Sequence, residues 1–231
     1  MEVTSFNDYL SLQKSDGHVN IELTFRCPLM CSQCLRAKLT LPKDNPEYKL
    51  WKEKVADSYD MELDNLEKII KFSNGLISFC GQFSDPIYHP DFYKILELCS
   101  RYPDKKFMIH TSAHQKNIDW YRRAYELSAP NIVWKFGLDG IGEVSQIYRQ
   151  NQKSELIWEA MCLGVKMGIP VHWQFIVFKY NEHQIHDAAK LAKENGMMFK
   201  LIFTDRSSEK TEAASEEYRA TGKTKKVVVL K

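Results

Sequence analysis

The 231-residue chain has no apolar run long enough to cross a bilayer, which argues against a membrane-spanning helix. Net charge is also scant. Thirty-two basic and 30 acidic residues leave +2, so nothing compels a nucleic-acid or anionic-membrane partner. Residues 1–15 lack the basic start and apolar core of a secretory leader, and the expected location is cytoplasmic. No internal repeat is visible, which argues against a solenoid. Cysteine is sparse at six residues, and three of these crowd into eight positions, unlike a secreted disulfide framework. What is present, 44% hydrophobic and 27% charged residues, is ordinary for one large or two small globular domains.

The crowded cysteines are Cys27, Cys31 and Cys34, spaced C-x3-C-x2-C after a strand-like run at 18–26. A spacing this short lets one loop present its thiolates inwards. Three thiolates are one short of a closed tetrahedral zinc site. They are also one short of the four that hold an electron-transfer iron–sulfur cluster. Three readings follow: a cubane cluster with one iron open to a further ligand, a zinc site completed by a distant histidine, or three plain thiols. The remaining cysteines are scattered. Cys99 and Cys162 fall on apolar helix faces and read as small buried hydrophobes. Cys80 precedes a polar loop and is a candidate for a site role.

Hydrophobic periodicity organises the rest. Helices are expected at 62–72, 91–101, 118–127, 154–167 and 182–194, and strands at 18–26, 76–80, 106–111, 132–138, 171–178 and 199–203. Six strands alternating with helices predict an α/β fold with a parallel sheet, an open (βα)6 partial barrel rather than a closed eightfold one. Residues 1–17 read as a lead-in, 18–204 as the core with an insertion or loop at about 40–60, and 205–231 as a polar tail. That tail reads as a surface helix or a flexible segment, with 227–230 as a possible edge strand.

Ligands of parallel α/β sheets bind at the carboxyl ends of the strands. The cysteine loop leaves strand one there. Strand two ends in Gly81-Gln82-Phe83-Ser84-Asp85-Pro86, strand three in His110-Thr111-Ser112, strand four in Gly137-Leu138-Asp139-Gly140 and strand five near Lys179-Tyr180-Asn181. Each alone reads as a turn; their common position after successive strands marks one mouth. His183 and His186 read as surface residues, and Trp173, Phe175 and Tyr180 as core or mouth aromatics.

Over 18–204 the chain resembles the radical S-adenosylmethionine (SAM) superfamily, whose C-x3-C-x2-C loop it matches without a gap. The resemblance implies that Cys27, Cys31 and Cys34 hold a [4Fe-4S] cluster, that SAM chelates its open iron, and that reductive SAM cleavage yields a 5′-deoxyadenosyl radical which takes a hydrogen atom from substrate. Gly81, Gln82, Asp85 and Pro86 resemble the Gly-Gly-Glu-Pro segment whose carbonyls accept from the SAM amino group, with Gln82 for a glycine, two extra residues, and Asp85 for a glutamate. Gly137 to Gly140 followed by Arg149 resembles the Ser-x-Asp-Gly then Arg pattern of peptide- and protein-modifying members. This implies Asp139 in the SAM site and Arg149 on the SAM carboxylate, with Gly137 for the usual serine. Thr111 and Ser112 join the same SAM mouth, and Val177 is a candidate for the adenine wall or plain core. Gln33 stands where the family has an aromatic ring. The auxiliary-cluster cysteines of that branch have no counterpart after Cys162. The expected partners are a peptide or small-molecule substrate and a low-potential electron donor such as flavodoxin or ferredoxin. A non-catalytic iron–sulfur or SAM-binding protein on the same fold is the rival expectation.

Overall fold

A computed structural model describes residues 17–54, 59–81, 84–112, 115–204, 211–215, 218 and 227–230. Seven strands form one sheet in chain order: β1 (Val19–Ile21), β2 (Leu76–Phe79), β3 (Lys106–Thr111), β4 (Ile132–Gly137), β5 (Val171–Val177), β6 (Met198–Phe203) and β7 (Val227–Leu230). The first six are mutually parallel, and β7 runs antiparallel along β6. Among the described residues six α-helices accompany them: α1 (Pro46–Lys54), α2 (Leu63–Phe72), α3 (Phe92–Ser100), α4 (Ile118–Glu126), α5 (Ser154–Lys166) and α6 (Ile185–Glu194). The sheet is not closed, as the count of six β–α units predicts.

The two faces of the sheet differ, and the period of two along each strand sets which residue goes where. One face carries Phe107 and Ile109, Trp134 and Phe136, Trp173 and Phe175, Phe199 and Leu201, all buried. This face packs on the helices. The Trp134 ring meets Tyr125 of α4 edge-on at 5.1 Å, and Trp173 meets Trp158 of α5 at 5.4 Å. Such pairs add about 0.5–1.5 kcal/mol beyond the area they bury. The alternate positions, among them His110, Lys135, His172, Gln174, Ile176 and Lys200, are only partly covered and face the concave side. A parallel sheet buried on both faces would read as continuous apolar runs. The polar alternation here belongs to a lined interior.

Two segments depart from the expected elements. Strand one stops at Ile21, because the chain beyond it pairs with 59–61 instead of β2. Phe25 N–H donates to Tyr59 O at 3.0 Å, Met61 N–H to Leu23 O at 2.8 Å, and Thr24 bridges Asp60. Within the expected insertion, 46–54 is the helix α1. Pro46 opens it, a position where a missing N–H costs nothing, and Glu47 lies in its first turn. Elsewhere the expected and observed elements differ by a residue or two at their ends; at 182–194 a tight turn (Glu182–Gln184) precedes α6. Residues 227–230 form the edge strand. The lead-in at 1–16 and most of the tail lie outside the described residues. The described part of the tail crosses the end of β5: Ala213 bridges Phe178, Lys179 N–H donates to Glu212 O, and Thr211 and Ala214 are fully buried.

Candidate functional site

The cysteine loop is pinned from two sides. Met30 N–H donates to Gln150 O at 3.1 Å and Ser32 N–H to Tyr148 O at 3.3 Å, which ties the loop to the segment following β4. Asp85 N–H donates to Arg26 O at 3.0 Å, which ties it to the segment following β2. Arg36 returns a guanidinium N–H to Phe25 O at 2.6 Å. Cys27, Cys31 and Cys34 form no disulfide and are each half-buried. Burial pushes Cys27 up to about 12, with the Asp85 carboxylate adding to it. Burial pushes Cys31 up to about 11, against the pull of Arg149. Among the described residues no three His, Cys, Asp or Glu side chains gather as ligands of a single ion. Thiolates on a cubane cluster each take a different iron, so they need not converge on one point as zinc ligands must.

Behind the loop a buried polar network joins the ends of β2 to β5. Asp85 accepts from Thr111 Oγ1 at 2.9 Å and Ser112 N–H at 2.7 Å, and caps the turn at Pro86 by accepting from Ile87 N–H. Ser112 Oγ accepts from Arg149 Nη1 at 2.7 Å. Arg149 Nε stands 2.7 Å from Asp139 Oδ2, an ion pair almost fully buried on both sides, although that N–H is not aligned for a hydrogen bond. Asp139 Oδ1 accepts from Ile176 N–H at 2.8 Å. The carboxylate holds the guanidinium proton above the usual arginine range, and burial of Asp139 is opposed by Arg149. The ends of four strands are thus fixed through five polar side chains: Asp85, Thr111, Ser112, Arg149 and Asp139.

Three more residues complete this network: Gln152 and Ser145, which sequence reasoning missed, and Asn181, which it placed at the mouth only as part of the end of strand five. Gln152 Nε2 donates to Ser112 O at 2.7 Å and Gly137 O at 2.9 Å, and its Oε1 accepts from Ser145 Oγ at 2.6 Å. Ser145 Oγ accepts from Asp139 N–H at 2.8 Å. Asn181 Nδ2 donates to Asp139 O and Ile176 O, both at 2.9 Å, while its Oδ1 accepts from Phe178 N–H. A polar amide placed between hydrophobic elements was the available signal; only the fold shows which carbonyls it meets.

Gly137 has a steric reason for being glycine. A Cβ there would lie 2.4 Å from Ser112 Oγ and 2.6 Å from Arg149 Nη2. The space a serine side chain would fill is taken by Ser112 and the guanidinium. Gly137→Ala is therefore expected to displace Arg149 and cost roughly 1–3 kcal/mol of stability, as overpacking does. Chemical denaturation of the two proteins measures it, and an unchanged midpoint would show that the guanidinium moves aside freely.

The expected site residues fall into place as follows. Arg149 is not the solvated charge on an early helix turn that its sequence setting also allowed; it is buried in the network. Asp85, Thr111, Ser112 and Asp139 share that network, and their side chains are engaged by the chain's own groups. Pro86 is buried in the turn capped by Asp85. Gly81 packs against Ser84, whose carbonyl would lie 2.3 Å from any added Cβ. Gln82 lies outside the described residues. Val177 is fully covered and shares the helix-facing side with Trp173 and Phe175, the packing role that suits a β-branched strand residue. Ile176 points the other way and is partly exposed. Gln33 donates to Thr211 Oγ1 at 3.2 Å, joining the cysteine loop to the tail. Cys99 is core; His183 and His186 are exposed.

No protein-family model matches the chain, and no curated protein matches it. Solved structures do. SuiB of Streptococcus suis bound to S-adenosylmethionine superposes with a TM-score of 0.61 at 15% identity, over 94% of this chain and 51% of that one. Native anSMEcpe with bound AdoMet and the Cp18Cys peptide gives 0.54 at 16% identity, over 79% and 48%. Methylornithine synthase (PylB) gives 0.56 at 14% identity, over 91% and 63%. The chain thus has the fold of radical SAM enzymes and spans less than two thirds of the length of each of these neighbours.

Proposed function

We propose that the chain is a radical SAM enzyme in which Cys27, Cys31 and Cys34 hold a [4Fe-4S] cluster and SAM lies in the mouth formed by the ends of β2 to β5. The observation that carries this is the position of the three-thiol loop, hydrogen-bonded to the backbone on either side of Arg149, at the carboxyl end of an open six-stranded barrel. When bound, such a cluster supplies the electron that cleaves SAM to methionine and a 5′-deoxyadenosyl radical. The chain's own residues bind and orient. Arg149 is held charged by Asp139 and presents its remaining N–H groups to the SAM carboxylate. Asp85 braces the turn after β2, so that carbonyls near Gly81 meet the SAM amino group. Ile176 replaces Val177 as the apolar wall for adenine, because it faces the interior and is partly exposed.

A peptide substrate is favoured over a small molecule, by the Asp139-Gly140 then Arg149 pattern and by the peptide held in the anSMEcpe structure. A flavodoxin- or ferredoxin-type protein is the proposed electron donor. One observation favours the non-catalytic alternative: Asp139 and Ser112 of the chain itself engage the Arg149 guanidinium. Anaerobic reconstitution with iron and sulfide decides. The enzyme reading expects about four irons per chain and 5′-deoxyadenosine on addition of dithionite and SAM. A loaded cluster that forms no 5′-deoxyadenosine would support the alternative, and zinc without sulfide would overturn both.

A further inference from the structure

The concave face of the sheet carries basic groups that the proposed SAM chemistry does not use. His110 of β3 stands opposite Lys135 of β4, and Lys135 opposite His172 of β5, as backbone partners in neighbouring strands. Lys200 of β6 lies one pleat further along, opposite Gln174, which itself faces Gly137. All four point to the interior and are partly or largely buried. The six parallel strands contain no Asp or Glu at all. Neither Lys135 nor Lys200 has an ion-pair partner among the described residues. His110 Nε2 and His172 Nδ1 are buried without a hydrogen-bond partner among the described residues.

Stability alone gives no reason for this set. Like charges and unsatisfied polar atoms in a covered site are costly, and apolar side chains would serve the sheet better. The cost shows in the groups themselves: burial and the neighbouring cations push His110 down to about 3, His172 to about 4 and Lys135 to about 8. One class of ligand relieves all of these terms at once. An anion accepts from the ammonium groups and the ring N–H groups and cancels their mutual repulsion. A bound metal ion is not an equivalent answer, since no three donors gather for one among the described residues.

We propose that this interior binds an anionic group of the substrate, a carboxylate or a phosphate, between His110, Lys135, His172 and Lys200. Calling the ligand the substrate rests on the radical SAM reading; the anion site itself does not. The row adjoins Gly137 and so opens toward the Arg149 network, where the reacting end of a substrate would meet SAM.

The test is calorimetric titration of the cluster-reconstituted full chain with inorganic phosphate and, separately, acetate at fixed ionic strength. Saturable binding of at least one is expected, and preference for phosphate or acetate tells the two sources apart. Lys135→Met and Lys200→Met should each weaken binding by about tenfold or more, while being no less stable than the parent because a covered charge is removed. Lys135→Arg should restore most of the affinity. Binding should weaken as pH rises above about 8, where Lys135 loses its proton; the groups around it are Cys80, His110, His172 and Lys200, with His18 beside His110, and a bound anion moves the loss to higher pH. No saturable binding of either anion, or unchanged affinity in both folded Met variants, overturns the proposal. SAM cleavage is measured in the same samples. Cleavage without anion binding sinks the anion site alone, and anion binding without SAM binding sinks the enzyme reading alone.

Discussion

Replacing Asp139 with asparagine is expected to lower stability by about 3–5 kcal/mol, a large share of the total for a domain of this size. The side chain is fully buried, and it faces an arginine that is nearly so. Guanidinium does not give up its proton, so removing the carboxylate charge leaves Arg149 as an uncompensated cation in a covered site. The damage should spread, because the Arg149 segment holds the cysteine loop: Tyr148 O and Gln150 O accept from Ser32 and Met30. The double variant Asp139→Asn with Arg149→Met removes both charges and should cost less than Asp139→Asn alone. Urea denaturation of the parent, both single variants and the double variant measures the coupling. A loss below about 1 kcal/mol for Asp139→Asn, or additive losses, would mean that water reaches the pair and screens it.

The strand count, the parallel order and the site's end of the sheet were legible because they follow from periodicity and from alternation with helices. The ends of β3 and the starts of α4, α5 and β5 agree to the residue with the pattern in the sequence. The cysteine loop was legible as a spacing. What the sequence left hidden is whatever depends on two distant segments meeting. Arg149 looks like any polar residue before a helix, and only the approach of Asp139 and Ser112, with Gly137 making room, buries it. Val177 was ambiguous until the strand's phase was fixed by Trp173 against α5. The basic interior carried a signal that went unread. Within β3 to β6 the apolar residues alternate with His110, Lys135, His172 and Lys200, but a sequence does not show that four such positions line up across four strands.

Cys27→Ala, Cys31→Ala and Cys34→Ala are each expected to reduce retained iron and sulfide to near zero after reconstitution, and 5′-deoxyadenosine formation with them. A cubane held by three thiolates has no spare protein ligand, so losing one leaves a second iron unprotected. The three thiols are half-buried on a loop that backbone hydrogen bonds pin at Arg26, Met30 and Ser32, which fixes where they are presented. Cys80 is the residue that makes the experiment decisive. It follows β2 on the concave side of the sheet and is itself half-buried. Were Cys80 a fourth ligand, the cluster would be closed, SAM would have no iron to chelate, and the protein would be an electron carrier or a sensor. Cys80→Ala is expected to keep its iron and its SAM cleavage, as is Cys162→Ala, whose side chain on α5 packs partly buried against the core beside Asn195. Iron and acid-labile sulfide assays, with the visible absorption of the cluster, read each variant. Loss of the cluster in Cys80→Ala would overturn the open-iron reading, and full retention in any of the three loop variants would remove that cysteine from the ligand set.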